Sequence, residues 1–113
     1  TEKDMPDDKR ADLVCNSSEM QLPIEVKGQW HDDLWTAMND QLGDLYLKEY
    51  QSQGQGIYLI FYFGENMTKK PKGNSKYKPQ NALQLQEYLS VCIEDKYKQG
   101  IDVFVMDLSL EDT

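Results

Sequence analysis

The sequence predicts an α/β domain, a mixed sheet with helices on both faces, in the order strand, strand, helix, strand, helix, strand. Three observations carry that expectation. Two short strand-like segments flank a polar loop ahead of residue 28, two longer stretches repeat apolar residues at helical spacing, and an almost wholly apolar run separates those stretches. At 113 residues the chain has room for one hydrophobic core.

Residues 1–9 read as an acidic lead-in that carries Pro6, which leaves residues 10–113 for a single domain. The chain opens on Thr1 rather than methionine, so the polypeptide is expected to start upstream. Ala11 to Cys15 reads as a first strand, closed by the turn-like Asn16-Ser17-Ser18. Gln21 to Lys27 follows as a second strand ended by Gly28, and the short polar loop between them predicts an antiparallel hairpin.

From Asp32 the period changes. Leu34, Trp35, Met38, Leu42, Leu45 and Tyr46 recur at three- and four-residue steps, predicting a helix to about Tyr50. Asp32 and Asp33 stand at its start, where negative charge suits the helix dipole. Gln51 to Gly56 breaks the pattern. Ile57 to Phe63 is apolar throughout and suits a central strand covered on both faces. Helical spacing resumes from Asn81 to Lys98 and stops at Gln99-Gly100. Ile101 to Leu108 reads as the last strand.

Composition narrows the function. No apolar run approaches the roughly 20 residues a membrane span needs, and the acidic opening is unlike a signal peptide. Cys15 and Cys92 read as buried, unpaired thiols of a cytoplasmic protein. A net charge of -8 counts against general nucleic-acid binding, but five lysines and no acid lie between Thr68 and Pro79. Lys69, Lys70 and Lys72 are therefore candidate phosphate contacts, although such a loop is more often a solvated connector.

The chemistry concentrates on the hairpin. Alternate strand residues share a face, so Glu25 and Lys27 project together while Val26 points away. Asp12 on the preceding strand comes beside Glu25 if the hairpin forms. Two converging carboxylates make a hard oxygen site suited to Mg²⁺ or Mn²⁺, and a neighbouring lysine can stabilise charge on a phosphate oxygen. Alone, the Glu25-Val26-Lys27 triplet is more often an exposed salt bridge. The sole histidine, His31, is a candidate substrate contact whose plainer role is a cap, and Trp30 and Trp35 read as packing residues.

The segment Ala11-Asp12 … Ile24-Glu25-Val26-Lys27 resembles the signature of the PD-(D/E)XK nuclease superfamily, with Ala11 in place of the usual proline. The stretch from Leu22 to Ala37, with Gln41-Leu42 and Gly56 to Gly64, is similar to a bacterial subgroup attached to larger multidomain proteins, some of them defence-related. The resemblance spans roughly residues 10–108. It implies a restriction-endonuclease-like three-layer core and a Mg²⁺- or Mn²⁺-dependent endonuclease acting on DNA within a larger protein. It makes Asp12 and Glu25 metal ligands, adds the Val26 carbonyl, gives Lys27 the role of catalytic lysine and brings Gln41 near the site. The family's usual helix ahead of the first strand has no counterpart before Asp12. A catalytically inactive nuclease-like module for binding protein or nucleic acid is the alternative, an acidic inhibitor that mimics nucleic acid a weaker third, and oligomerisation is left open.

Overall fold

The computed structural model describes residues 11–109, so the acidic lead-in expected over residues 1–9 lies outside the described residues. Strand β1 (Leu13–Asn16) and strand β2 (Gln21–Gly28) form the expected antiparallel hairpin, with Leu13 opposite Ile24 and Asn16 opposite Gln21. Strands β3 (Gly56–Tyr62) and β4 (Ile101–Asp107) add in parallel, giving a mixed sheet in the order β1-β2-β3-β4. Each parallel connection carries a helix, as the geometry of parallel pairing requires.

The first helix, α1 (Met38–Tyr46 continued by Leu47–Glu49), departs from the regular winding its spacing suggests. Asp32 to Thr36 is a run of turns, Met38–Tyr46 is wound as a π-helix, and only Leu47–Glu49 closes as α. The predicted face is nonetheless the buried one: Leu34, Met38 and Leu42 are fully inside and Tyr46 nearly so. Steps of four residues suit either winding, so the apolar stripe survives the change. π-Helical winding is rare, and its usual form, a single-turn bulge, is frequent at functional sites.

Helix α2 (Ala82–Cys92) starts where Asn81 accepts a hydrogen bond from the Gln84 amide, an N-cap. It ends well before Lys98, because Ile93 is extended and only a 3₁₀ turn, Asp95–Tyr97, follows. The physical reason is tertiary. Asn39 on α1 donates to the Cys92 carbonyl at 3.0 Å and accepts from the Glu94 amide at 2.8 Å, taking over the groups that another helical turn would use.

Both helices lie on one face of the sheet, a correction to the expectation of helices on both. Residues paired across the sheet share a face, which unites Glu25 and Lys27 with Tyr58, Ile60 and Val105. That face carries the core with Leu34, Met38, Leu42, Leu85 and Leu89. On the other face Ile24, Val26, Ile57, Leu59 and Phe61 are only half-buried, and Leu13, Phe104 and Met106 are exposed. Among the described residues nothing covers that apolar surface. Cys15 belongs to it and is exposed rather than buried, whereas Cys92 is half-buried and burial pushes its thiol up; both are free. No helix among the described residues is long and apolar enough to cross a membrane.

Candidate active site

The site grows out of the end of the hairpin. β1 begins at Leu13, so Asp12 sits one step beyond the ladder, in line with Glu25. Its Oδ2 accepts from the Val26 amide at 2.8 Å, doing with a side chain what the strand would have done with a carbonyl. A strand residue turns its N–H and C=O to the same neighbour, so the Val26 carbonyl faces the gap beside Asp12.

Glu25 points into the core face and is 3% exposed. Its Oε2 is 3.3 Å from the Lys27 ammonium, while Oε1 is buried without a hydrogen-bond partner. Leaving a buried carboxylate oxygen unpaired costs on the order of 1–3 kcal/mol. Burial first, and the Asp12 carboxylate second, push the Glu25 pKa up to about 7 from an ordinary 4.5, against the opposing pull of Lys27. The hairpin thus holds a carboxylate that gains from a cation placed at its free oxygen.

Lys27 sits between two acids. Its Nζ lies 3.0 Å from Asp33 Oδ2 as well as 3.3 Å from Glu25. Burial alone would lower its pKa, but the Asp33 hydrogen bond and the charges of Glu25 and Asp33 outweigh it, and the net direction is upward. The lysine is a fixed ammonium rather than a base.

Gln41 reaches the same cluster, though through Asp33: its Nε2 donates to Asp33 Oδ2 at 2.8 Å. Gln41 with Tyr46, and Asp40 with Leu45, line one cavity of about 310 Å³, as residues five apart do on a π-helix. Tyr46 is 4% exposed, and burial, then the charges of Glu25 and Asp12, push its hydroxyl well above the usual phenol range. Tyr46 and Asp33 are the members that sequence reasoning missed. Asp33 lies six residues after Lys27 and looks like a helix-dipole residue; only the turns between Gly28 and Thr36 bring it back.

The remaining candidates stand apart from this cluster. His31 Nδ1 accepts from the Gly28 amide at 3.0 Å, at the end of β2 rather than at a helix start, and its ring stacks on Trp30. Lys69 lies over the Trp30 ring at 4.8 Å, Lys72 pairs with exposed Asp32 at 3.1 Å, and Lys70 is exposed. None of the four touches Glu25.

For a metal, the donors are Asp12, the orphaned Glu25 oxygen and the Val26 carbonyl: hard oxygens with one buried and unsatisfied atom, which fit Mg²⁺ or Mn²⁺. Among the described residues no group of three or more His, Cys, Asp and Glu forms a metal cluster. A cation here would complete its shell with the carbonyl and solvent, as Mg²⁺ commonly does. No protein-family model, curated protein or solved structure matches this chain.

Proposed function

We propose that this chain is a metal-dependent nuclease domain of the PD-(D/E)XK type, hydrolysing DNA phosphodiester bonds within a larger protein. The observation that carries the reading is the buried Glu25 carboxylate, with one oxygen orphaned, between Asp12 and the Lys27 ammonium. Such an oxygen is costly in a fold without purpose.

In this reading Asp12, Glu25 and the Val26 carbonyl hold Mg²⁺ or Mn²⁺. When bound, such a cation activates water and offsets charge on the phosphate. Lys27 supplies a second, fixed positive charge for the oxygens of the attacked phosphate and orients the attacking water. Asp33 keeps that lysine protonated and aimed, and Gln41 fixes Asp33 in turn. A cavity lined by Gln41 and Tyr46 lies on the helix that packs Gln41 against Asp33. The protein's net charge of -8 favours delivery of DNA by other parts of a larger assembly.

Plasmid DNA incubated with Mn²⁺ tests this. Wild-type protein is expected to degrade it and the Lys27→Ala variant to leave it intact; equal residual smearing by both overturns the reading. The alternative, a nuclease-like module kept for binding, draws on the double engagement of Lys27 by Glu25 and Asp33, which gives the lysine an internal structural role. That module predicts no cleavage by either protein and no stabilisation by the metal.

A further inference from the structure

Trp30 is half-buried and stands outside the hydrophobic core. Its indole lies over Gly28, where an added Cβ would collide with the ring. The ring tilts against Phe63 at 6.0 Å between centroids, and the Lys69 ammonium hangs 4.8 Å above it. Together with Met67 and Thr68 these side chains bound an open cavity of about 250 Å³ whose walls are almost wholly apolar. Met67 is 46% exposed and forms one wall.

The segment bearing this pocket is tied down by its main chain. Gln29, fully buried, donates through Nε2 to the carbonyls of Gly64 and Lys69 and accepts from the Phe63 amide through Oε1. The Lys72 amide donates to the Gln29 carbonyl at 2.7 Å, and Trp35 Nε1 donates to the Lys72 carbonyl at 2.9 Å. With the backbone held this way, the lysine side chains project outward. Lys70, Lys72 and Lys78 line a second cleft of about 420 Å³ together with Tyr77 and one acid, Glu65, and Lys72 is paired with Asp32. An aromatic pocket and a lysine cleft therefore share one anchored loop on an otherwise acidic protein.

We propose that the Trp30–Phe63–Met67 pocket takes one unpaired nucleobase, with the neighbouring phosphates on Lys69, Lys70 and Lys78. The pocket is smaller than the roughly 300 Å³ lower bound of drug-sized sites, which suits a single planar ring system. Flat apolar walls beside a row of ammonium groups are how proteins hold single strands without reading their sequence. A base stacked within a duplex has both faces covered and cannot enter, so the occupant is single-stranded or extruded. Lys27 and Trp30 are three residues apart, at most about 11 Å of extended chain. One strand can thus run from the pocket over the end of β2 to the carboxylate–lysine site. That last step, and only it, rests on the nuclease reading.

Binding is measured in EDTA, which separates it from cleavage, using a labelled short oligonucleotide and the tryptophan emission of the wild-type protein. The single strand is expected to bind and quench the emission, with a blunt duplex of the same sequence about tenfold weaker. A strand lacking its bases is expected to lose affinity about tenfold as well, as are the Trp30→Leu and Met67→Glu variants. Met67→Glu alters an exposed wall and so serves even if Trp30→Leu fails to fold; Met67→Gln, which adds no charge, is expected to weaken binding as well and separates the pocket from repulsion of the phosphates. Equal affinity for single strand and duplex, for intact and abasic strands, or for wild type and Met67→Glu overturns the proposal, as does the absence of binding. Binding with the expected pattern but no cleavage in Mn²⁺ leaves the pocket standing and removes the hydrolytic reading. Cleavage without that pattern does the reverse.

Discussion

Replacing Glu25 by glutamine is expected to make the metal-free protein more stable at alkaline pH and to change the shape of its pH profile. The folded protein holds the Glu25 proton with a pKa of about 7, against 4.5 for an ordinary glutamate. That difference corresponds to about 3 kcal/mol. The folded state binds the proton more tightly than the unfolded chain, so this stability is full below pH 4.5 and is lost as pH rises through about 7. Glutamine keeps the shape, carries no charge to bury, and leaves Lys27 with Asp33 at 3.0 Å. Urea unfolding of both proteins without metal, at intervals from pH 4.5 to pH 8, isolates the effect because groups remote from Glu25 cancel in the difference and Lys27, its pKa raised, stays charged throughout. The variant's stability relative to wild type should climb by about 3 kcal/mol across that window. A flat difference, or one that falls with pH, would refute the claim that burial and Asp12 load this carboxylate.

Other perturbations separate the site from its scaffold. Asp33→Asn removes the acid shared by Lys27 and Gln41; it should lower the Lys27 pKa, read by NMR of its side-chain ammonium, and cost about 1 kcal/mol in urea unfolding. Gln29→Ala leaves two carbonyls and one amide without their partner, so a loss of about 3 kcal/mol is expected, with faster hydrogen exchange at Phe63 and Lys72. Leu89→Ala, at a fully buried position, should cost about 2–5 kcal/mol, whereas Phe104→Ser on the uncovered sheet face should cost under about 1 kcal/mol. Comparable losses from those two substitutions would mean that the second face is covered after all.

The sequence is legible where a single period decides the outcome. Alternation along β2 puts Glu25 and Lys27 on one face, and the polar turn at Asn16 to Ser18 fixes the hairpin that brings Asp12 beside them. Four-residue steps from Leu34 to Tyr46 mark the right helical face, but they suit α and π windings alike, so the π turn is not visible in them. The run Ile57 to Phe63 announces an apolar strand without saying what covers it; its second face, with Leu59 and Phe61, is half-buried. Asp33 was hidden because it reaches Lys27 through a chain reversal with no period of its own. Gln29 was hidden for a related reason. A buried glutamine satisfied by three backbone groups looks in sequence like any polar residue in a turn.

The most direct test of a cation site at Asp12 and Glu25 is a Mn²⁺ titration followed by thermal unfolding, on wild type, Asp12→Asn and Glu25→Gln in parallel. At a concentration about 100 times the dissociation constant at pH 8, wild type should gain about 2.7 kcal/mol there, and less at the same concentration at pH 5.5, where the Glu25 proton competes. Neither variant should gain comparably. No stabilisation of the wild type, or equal stabilisation of all three proteins, would contradict a metal held between these two carboxylates.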